Sequence, residues 1–248
     1  MNRGIYTVAS GGLAAQARLE AVTQNLANVG TPGYKADRVL FRVKPLTHTA
    51  VEPGLDPVLD RTAAQVSEVA TTRDFGQGPI RVSGNPLDVA IEGNGFFAVA
   101  TARGERYTRA GNFMLDGDGY LVTSQGERVQ GENGDLRLPT GDVAIGEDGR
   151  VRVDGAEVGR LKLVGFGDPP AVVPEGATLF APAPKAFPAP LDPNDVHLRP
   201  GALEGANLDA VAGMVELVDV ARGYESYMRA LQRLDQITQR SIDEVGRV

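Results

Sequence analysis

The chain is 248 residues long, 42% hydrophobic and 23% charged, enough for a packed core in one large domain or two small ones. A formal net charge of −7 with no Lys/Arg cluster speaks against a nucleic-acid groove or an anionic-membrane patch. The absence of Cys removes thiolate metal sites, disulfides and cysteine nucleophiles, leaving His48 and His197 as the only histidines, and no apolar run reaches the roughly 18 residues that a membrane span needs.

Residues 1–35 begin with a helical pattern. Ile5, Val8, Gly12, Ala15, Leu19, Val22 and Leu26 recur at alternating spacings of three and four, a heptad seam of the kind that faces a partner helix. Gly30 is placed to stop the helix. Thr31-Pro32-Gly33-Tyr34 then reads as a tight turn, because proline fixes one central position and glycine admits positive φ at the next. Away from the seam the charges before Lys35 are Arg3, Arg18 and Glu20. A helix with so bland a back packs on several sides in an assembly, or lies buried in a globular core, and both readings stay open. A cleaved signal peptide is disfavoured, because Ser10, Gly11 and Gly12 interrupt the apolar stretch and the spacing continues to Leu26.

Residues 36–74 read as an irregular linker. From 75 to 167 the period changes to short alternating runs, such as Arg150-Val151-Arg152-Val153, punctuated by glycine. Glu147-Asp148-Gly149 and Asp154-Gly155 sit where hairpin turns belong. This is the pattern of an antiparallel sandwich or barrel-like domain, and no helix-length segment separates the strands as a doubly wound fold would require. Residues 168–204 read as a Pro-rich connector, with nine of the sixteen prolines falling in 168–200. Residues 205–248 return to a helical stripe through Met214, Leu217, Ala221, Tyr224, Met228, Leu231 and Leu234, with Asn207 or Asp209 as the cap and Glu225–Arg229 as a favourable i,i+4 pair. The expected fold class is therefore α+β. An antiparallel β-rich domain is inserted between N- and C-terminal helices, which pair as an antiparallel coiled-coil unit.

Chemistry-bearing motifs are weak. Gly93-Asn94-Gly95-Phe96-Phe97-Ala98 has the spacing of a dinucleotide fingerprint, but Phe96–Ala100 continues as strand where a helix N-terminus should receive the pyrophosphate. Asp116-Gly117-Asp118-Gly119 with Glu127 imitates a calcium loop, yet Leu121 stands where that loop needs glycine. Neither histidine has a distinctive setting, and no G-x-S-x-G elbow is present. No catalytic, cofactor-binding or metal residues are assigned, and no cofactor, nucleic acid or small-molecule substrate is expected.

Longer segments carry a resemblance. Gln24-Asn25-Leu26-Ala27-Asn28-Val29-Gly30-Thr31-Pro32-Gly33-Tyr34-Lys35 resembles the N-terminal signature of the bacterial flagellar basal-body rod and hook proteins, with Gln24 where Asn is usual. Leu87-Asp88-Val89-Ala90-Ile91-Glu92-Gly93-Asn94-Gly95-Phe96-Phe97 is similar to the second signature of that family. Tyr107-Thr108-Arg109-Ala110-Gly111-Asn112-Phe113, followed by Gly119-Tyr120-Leu121-Val122, is similar to the third. Leu203-Glu204-Gly205-Ala206-Asn207-Leu208 resembles the opening of its C-terminal helix, with Ala206 and Leu208 where Ser and Val are usual. The order is the family's order, and the length together with Val158–Val164 is most like proximal rod subunits of the F type.

The resemblance implies a structural, non-enzymatic subunit of the rod that spans the periplasm, polymerising through its terminal helices to transmit torque from motor to hook. It also implies homologous rod subunits and further copies of the chain as partners, and passage through the flagellar type III export apparatus. The residues expected at the assembly interface are Ile5, Val8, Ala15, Leu19, Val22, Leu26, Met214, Leu217, Tyr224, Met228 and Leu231, with Thr31, Pro32, Gly33 and Tyr34 as the turn. The alternatives are a distal rod or hook subunit of the same family and, from a different class, a secreted β-domain hydrolase or binding module. An enzyme would show convergent polar groups in a pocket, whereas a rod subunit would show helices with apolar faces left over.

Overall fold

The computed structural model describes residues 2–45, 64–167, 169–191 and 196–245, so His48 lies outside the described residues. Helix α1 (Asn2–Ala27) comes first and helix α2 (Ala210–Val245) last, with strands between them. The chain is therefore α+β with a β-rich middle. It divides into two compact units, one of residues 1–27, 37–72 and 209–248, the other of residues 28–36 and 73–208.

In the helical unit, α1 stops at Ala27 rather than at Gly30, because the chain turns at once: the Thr31 N–H donates to the Asn28 carbonyl at 3.0 Å. Asp209 caps α2, its Oδ1 accepting the N–H groups of Val211 and Ala212 at 2.8 and 3.0 Å and so satisfying two donors of the first turn. The two helices lie against each other in opposite directions. Gly11 faces the Tyr227 ring, Arg18 pairs with Glu216 at 2.7 Å, and Leu26 lies beside Gly213. The same unit contains a two-stranded sheet of Asp37–Pro45 and Ala64–Arg73, in the stretch where the sequence suggested an irregular linker. Asn25 ties that sheet to α1, donating to the Asp37 carbonyl and accepting the Asp37 N–H, both at 2.8 Å.

The β unit is built on a sheet of ten strands. Phe96–Thr101 runs through it between Gly104–Thr108 and Arg128–Gly131. Alternate residues of a strand point to opposite faces. Phe97 and Val99 accordingly join a cluster with Val129, Val151 and Leu198, while Phe96 and Ala98 join a second with Tyr107, Phe166 and Phe180. Burial on both faces explains why this strand reads as an unbroken apolar run. It also removes the dinucleotide reading of Gly93–Ala98, since the glycines lead into a strand. The calcium-like segment is a turn: Asp116 Oδ1 accepts the N–H groups of Asp118 and Tyr120 at 2.9 and 2.8 Å.

The described residues between 169 and 204 are largely extended, as their prolines require, but much of their length is paired in strands. Leu179–Pro182 adds to Gly104–Thr108, and His197–Pro200 adds to Val89–Glu92. His197 therefore sits on a strand, exposed and opposite Glu92, where the sequence suggested an irregular setting. Prolines are tolerated here because they fall at sheet edges and strand ends. Pro174 is on the outermost strand of the large sheet, and Pro182 and Pro200 are last in theirs.

Candidate assembly site

The segments that carry the resemblance, from Asn28 onward, meet inside the β unit. The Thr31–Tyr34 turn is closed by the Tyr34 N–H donating to the Thr31 carbonyl at 3.3 Å, with Gly33 at φ +69°. The turn is sunk into the unit: Gly33 is buried and Tyr34 fully so. The Gly33 N–H donates to the Glu204 carbonyl at 2.7 Å. A Cβ on Gly33 would stand 2.4 Å from the Ala110 nitrogen, so the turn needs glycine for both its φ and its clearance. The Arg73 guanidinium lies over the Tyr34 ring at 5.4 Å and donates to the Ala177 carbonyl at 3.0 Å.

Next to this turn lies a buried ionic cluster. Lys35 Nζ donates to Glu204 Oε1 at 2.7 Å and to the Gly76 carbonyl at 2.9 Å. Glu204 Oε1 also accepts the Gly78 N–H at 2.9 Å, and Oε2 faces Arg109 Nη1 at 3.5 Å. The Lys35 and Glu204 side chains are wholly buried and Arg109 is 4% exposed. Burial pulls the Lys35 ammonium below its usual range, overriding the opposing pull of Glu204, and burial likewise lowers Arg109. Arg109 lies 5.2 Å over the Phe96 ring, so an aromatic face supplies part of what water would otherwise give that cation. Asn207 completes the joint by accepting the Ala36 N–H at 2.8 Å and donating to the carbonyls of Asp74 and Gly76 at 2.8 and 3.2 Å.

The expected interface residues of the helical unit fall into distinct groups. On α1, Val22 is buried, and Val8, Ala15, Leu19 and Leu26 are half-buried. Ile5 lies on α1, and its side chain is outside the described residues. On α2, Leu217, Tyr224 and Leu231 are half-buried, while Met214 and Met228 are 55% and 39% exposed. The α2 face turned to α1 runs through Gly213, Leu217, Val220, Tyr224, Tyr227 and Leu231. Of these the sequence reading missed Gly213, Val220 and Tyr227, which carry the same 4,3 spacing.

A second apolar line remains on the outer side of α2. Val211, Met214, Val215 and Val218 are between 49% and 72% exposed. Beside it a groove of about 790 Å³ has a floor of small residues (Gly11, Ala14, Ala15, Ala212 and Gly223), with Phe41, Val215 and Tyr227 as its larger apolar walls. Its charged groups are Arg18, Glu216 and Asp219, and Arg18 is already engaged by Glu216. Small floor residues allow close backbone approach, and a helix presenting apolar residues on two sides is built to be covered twice. Among the described residues no group of acidic and histidine side chains could hold a metal ion.

A β domain carried between two helices with apolar surface to spare has the build of a structural subunit. Three family models match in the order of the chain. They are "Flagella basal body rod protein" over residues 5–35, "Flagellar hook protein FlgE/F/G D1 domain" over 90–153, and "Flagellar basal body rod FlgEFG protein C-terminal" over 199–244. Among curated proteins the chain is 30% identical to the flagellar basal-body rod protein FlgF of Caulobacter vibrioides, over 100% of both chains. It is 33% identical to FlgF of Escherichia coli K12 over 95% of both, and 29% identical to the rod protein FlgG of Bacillus subtilis over 98% of this chain and 99% of that one. The chain belongs to the flagellar basal-body rod and hook protein family.

Proposed function

We propose that the chain is a structural subunit of the flagellar basal-body rod, polymerising through its terminal helices so that torque passes from motor to hook. The observation that carries this reading is the match from end to end to proteins named for the rod. The exposed line Val211–Val218 supports it, because an apolar stripe of this kind costs solubility unless something covers it. The inward-facing seams of α1 and α2 support an antiparallel coiled-coil pair as the unit that polymerises, with neighbouring rod subunits and further copies of the chain laid on its outer face. The turn Thr31–Tyr34 sets where the chain leaves the β unit. No catalytic role is assigned to any residue, and export is through the flagellar type III apparatus. The F-type, proximal position is favoured by the match over 100% of both chains to FlgF of Caulobacter vibrioides, with identities to FlgF proteins of 27–33%. The distal position is the second reading, favoured by identities of 29–31% to FlgG proteins. Purified hook–basal bodies should contain the chain, and Met214→Asp with Val218→Asp should remove it from them while secretion continues. A double variant that still enters the particle would refute assembly through this stripe.

A further inference from the structure

We infer that Glu204 is the keystone of a buried ionic lock, which makes the seating of the Asn28–Ala36 segment and the path of Leu203–Asn207 one event rather than two. Glu204 is the residue these parts share. Its carbonyl holds Gly33, its Oε1 holds Lys35 and the Gly78 amide, and its Oε2 faces Arg109. Its neighbour Gly205 donates to the Pro79 carbonyl at 2.9 Å, and a Cβ on Gly78 would stand 2.0 Å from the Gly205 oxygen. The two backbones are thus too close for either to shift alone. The charges enforce the same coupling. Two fully buried or nearly buried cations share one carboxylate, with Asp74 as the further anion acting on Lys35. If the Asn28–Ala36 segment lifted out, Glu204 would lose Lys35 and keep only the Gly78 amide and the longer Arg109 contact. If Leu203–Asn207 moved, Lys35 and Arg109 would be left as facing buried cations. Either half-open state strands a charge in a dry interior, which is far costlier than opening both. The lock therefore specifies one arrangement at the points where the chain enters and leaves the β unit.

Amide hydrogen exchange on the full chain tests this. Glu204→Gln should raise exchange at Gly33, Gly78 and Gly205 together, by more than about tenfold, while Val99 and Val129 in the large sheet keep their protection. Lys35→Met leaves Glu204 with Arg109, at 3.5 Å, as its one cation, so exchange at the same three amides should again rise together. Should Glu204→Gln fail to fold, Glu204→Asp, which keeps the charge but shortens its reach, decides the matter by the same three amides. Exchange that rises at Gly33 while Gly78 and Gly205 are unchanged, or the reverse, would overturn the lock, as would no change at any of the three.

Discussion

At the scale of single residues, the joint in the β unit depends on fit as well as on charge. Gly33→Ala would place a methyl group against the Arg109–Ala110 backbone at φ +69°. It should therefore destabilise the β unit by more than about 1 kcal/mol, measured by urea unfolding, since incompatible Gly→Ala changes exceed the entropic gain. Lys35→Met should lower the melting temperature of the β unit, because it removes the closer of the two buried cations and leaves the Glu204 carboxylate with the longer Arg109 contact. The pH dependence follows with its sign. The folded-state pKa of Lys35 lies below 10.5, so between that folded value and 10.5 the unfolded chain binds more protons and stability rises with pH. Tyr107 works the other way above pH 10, where burial and its bond to Glu105 hold the phenol protonated in the folded state only. Urea unfolding on the alkaline side below pH 10 should thus show a gain in the parent that Lys35→Met lacks. A gain of equal size in the variant would remove Lys35 as its source.

At the scale of elements, the pairing of α1 with α2 rests on small residues where the seam is tightest. A side chain on Gly11 would meet the Tyr227 ring at 2.7 Å, so Gly11→Val should push the helices apart. Circular dichroism should show less helix, while the thermal transition of the β unit stays in place. Much of this organisation was legible in the sequence. The heptad spacing of α1 is carried by its own residues, and the change to short glycine-punctuated strands is unmistakable after residue 75. The α2 seam was legible only in part. Met214 and Met228 outrank Gly213 and Tyr227 in hydrophobicity, yet the latter pair faces α1, and spacing alone does not say which of two adjacent apolar lines is turned inward. The strands within 168–204 were hidden by proline, whose cost depends on whether a strand lies at an edge. Nothing in a linear pattern distinguishes a buried edge-paired segment from a connector. The lock at Glu204 was hidden for a related reason: Lys35, Arg109 and Glu204 are far apart in sequence, and their burial is created by the fold that joins them.

At the scale of the whole molecule, the chain joins a β unit with its own core to helices that leave apolar surface exposed. The buried clusters of the β unit contain no residue of α1 or α2. Damage to a helix seam should therefore abolish assembly without unfolding that unit. Val22 is 7% exposed in the helical unit; burying a valine contributes roughly 1.5–3 kcal/mol, and an unpaired carboxylate in its place costs more. In a polymer the defect recurs in every copy. The most direct measurement pairs the thermal unfolding of purified Val22→Asp with its ability to restore rod assembly and swimming to cells lacking the chain. The main transition should stay within about 2 °C of the parent, given the few degrees that 1 kcal/mol shifts a domain of this size, with no rods and no motility. Rods and swimming at the parental level, or a main transition lowered by ten degrees or more, would contradict this.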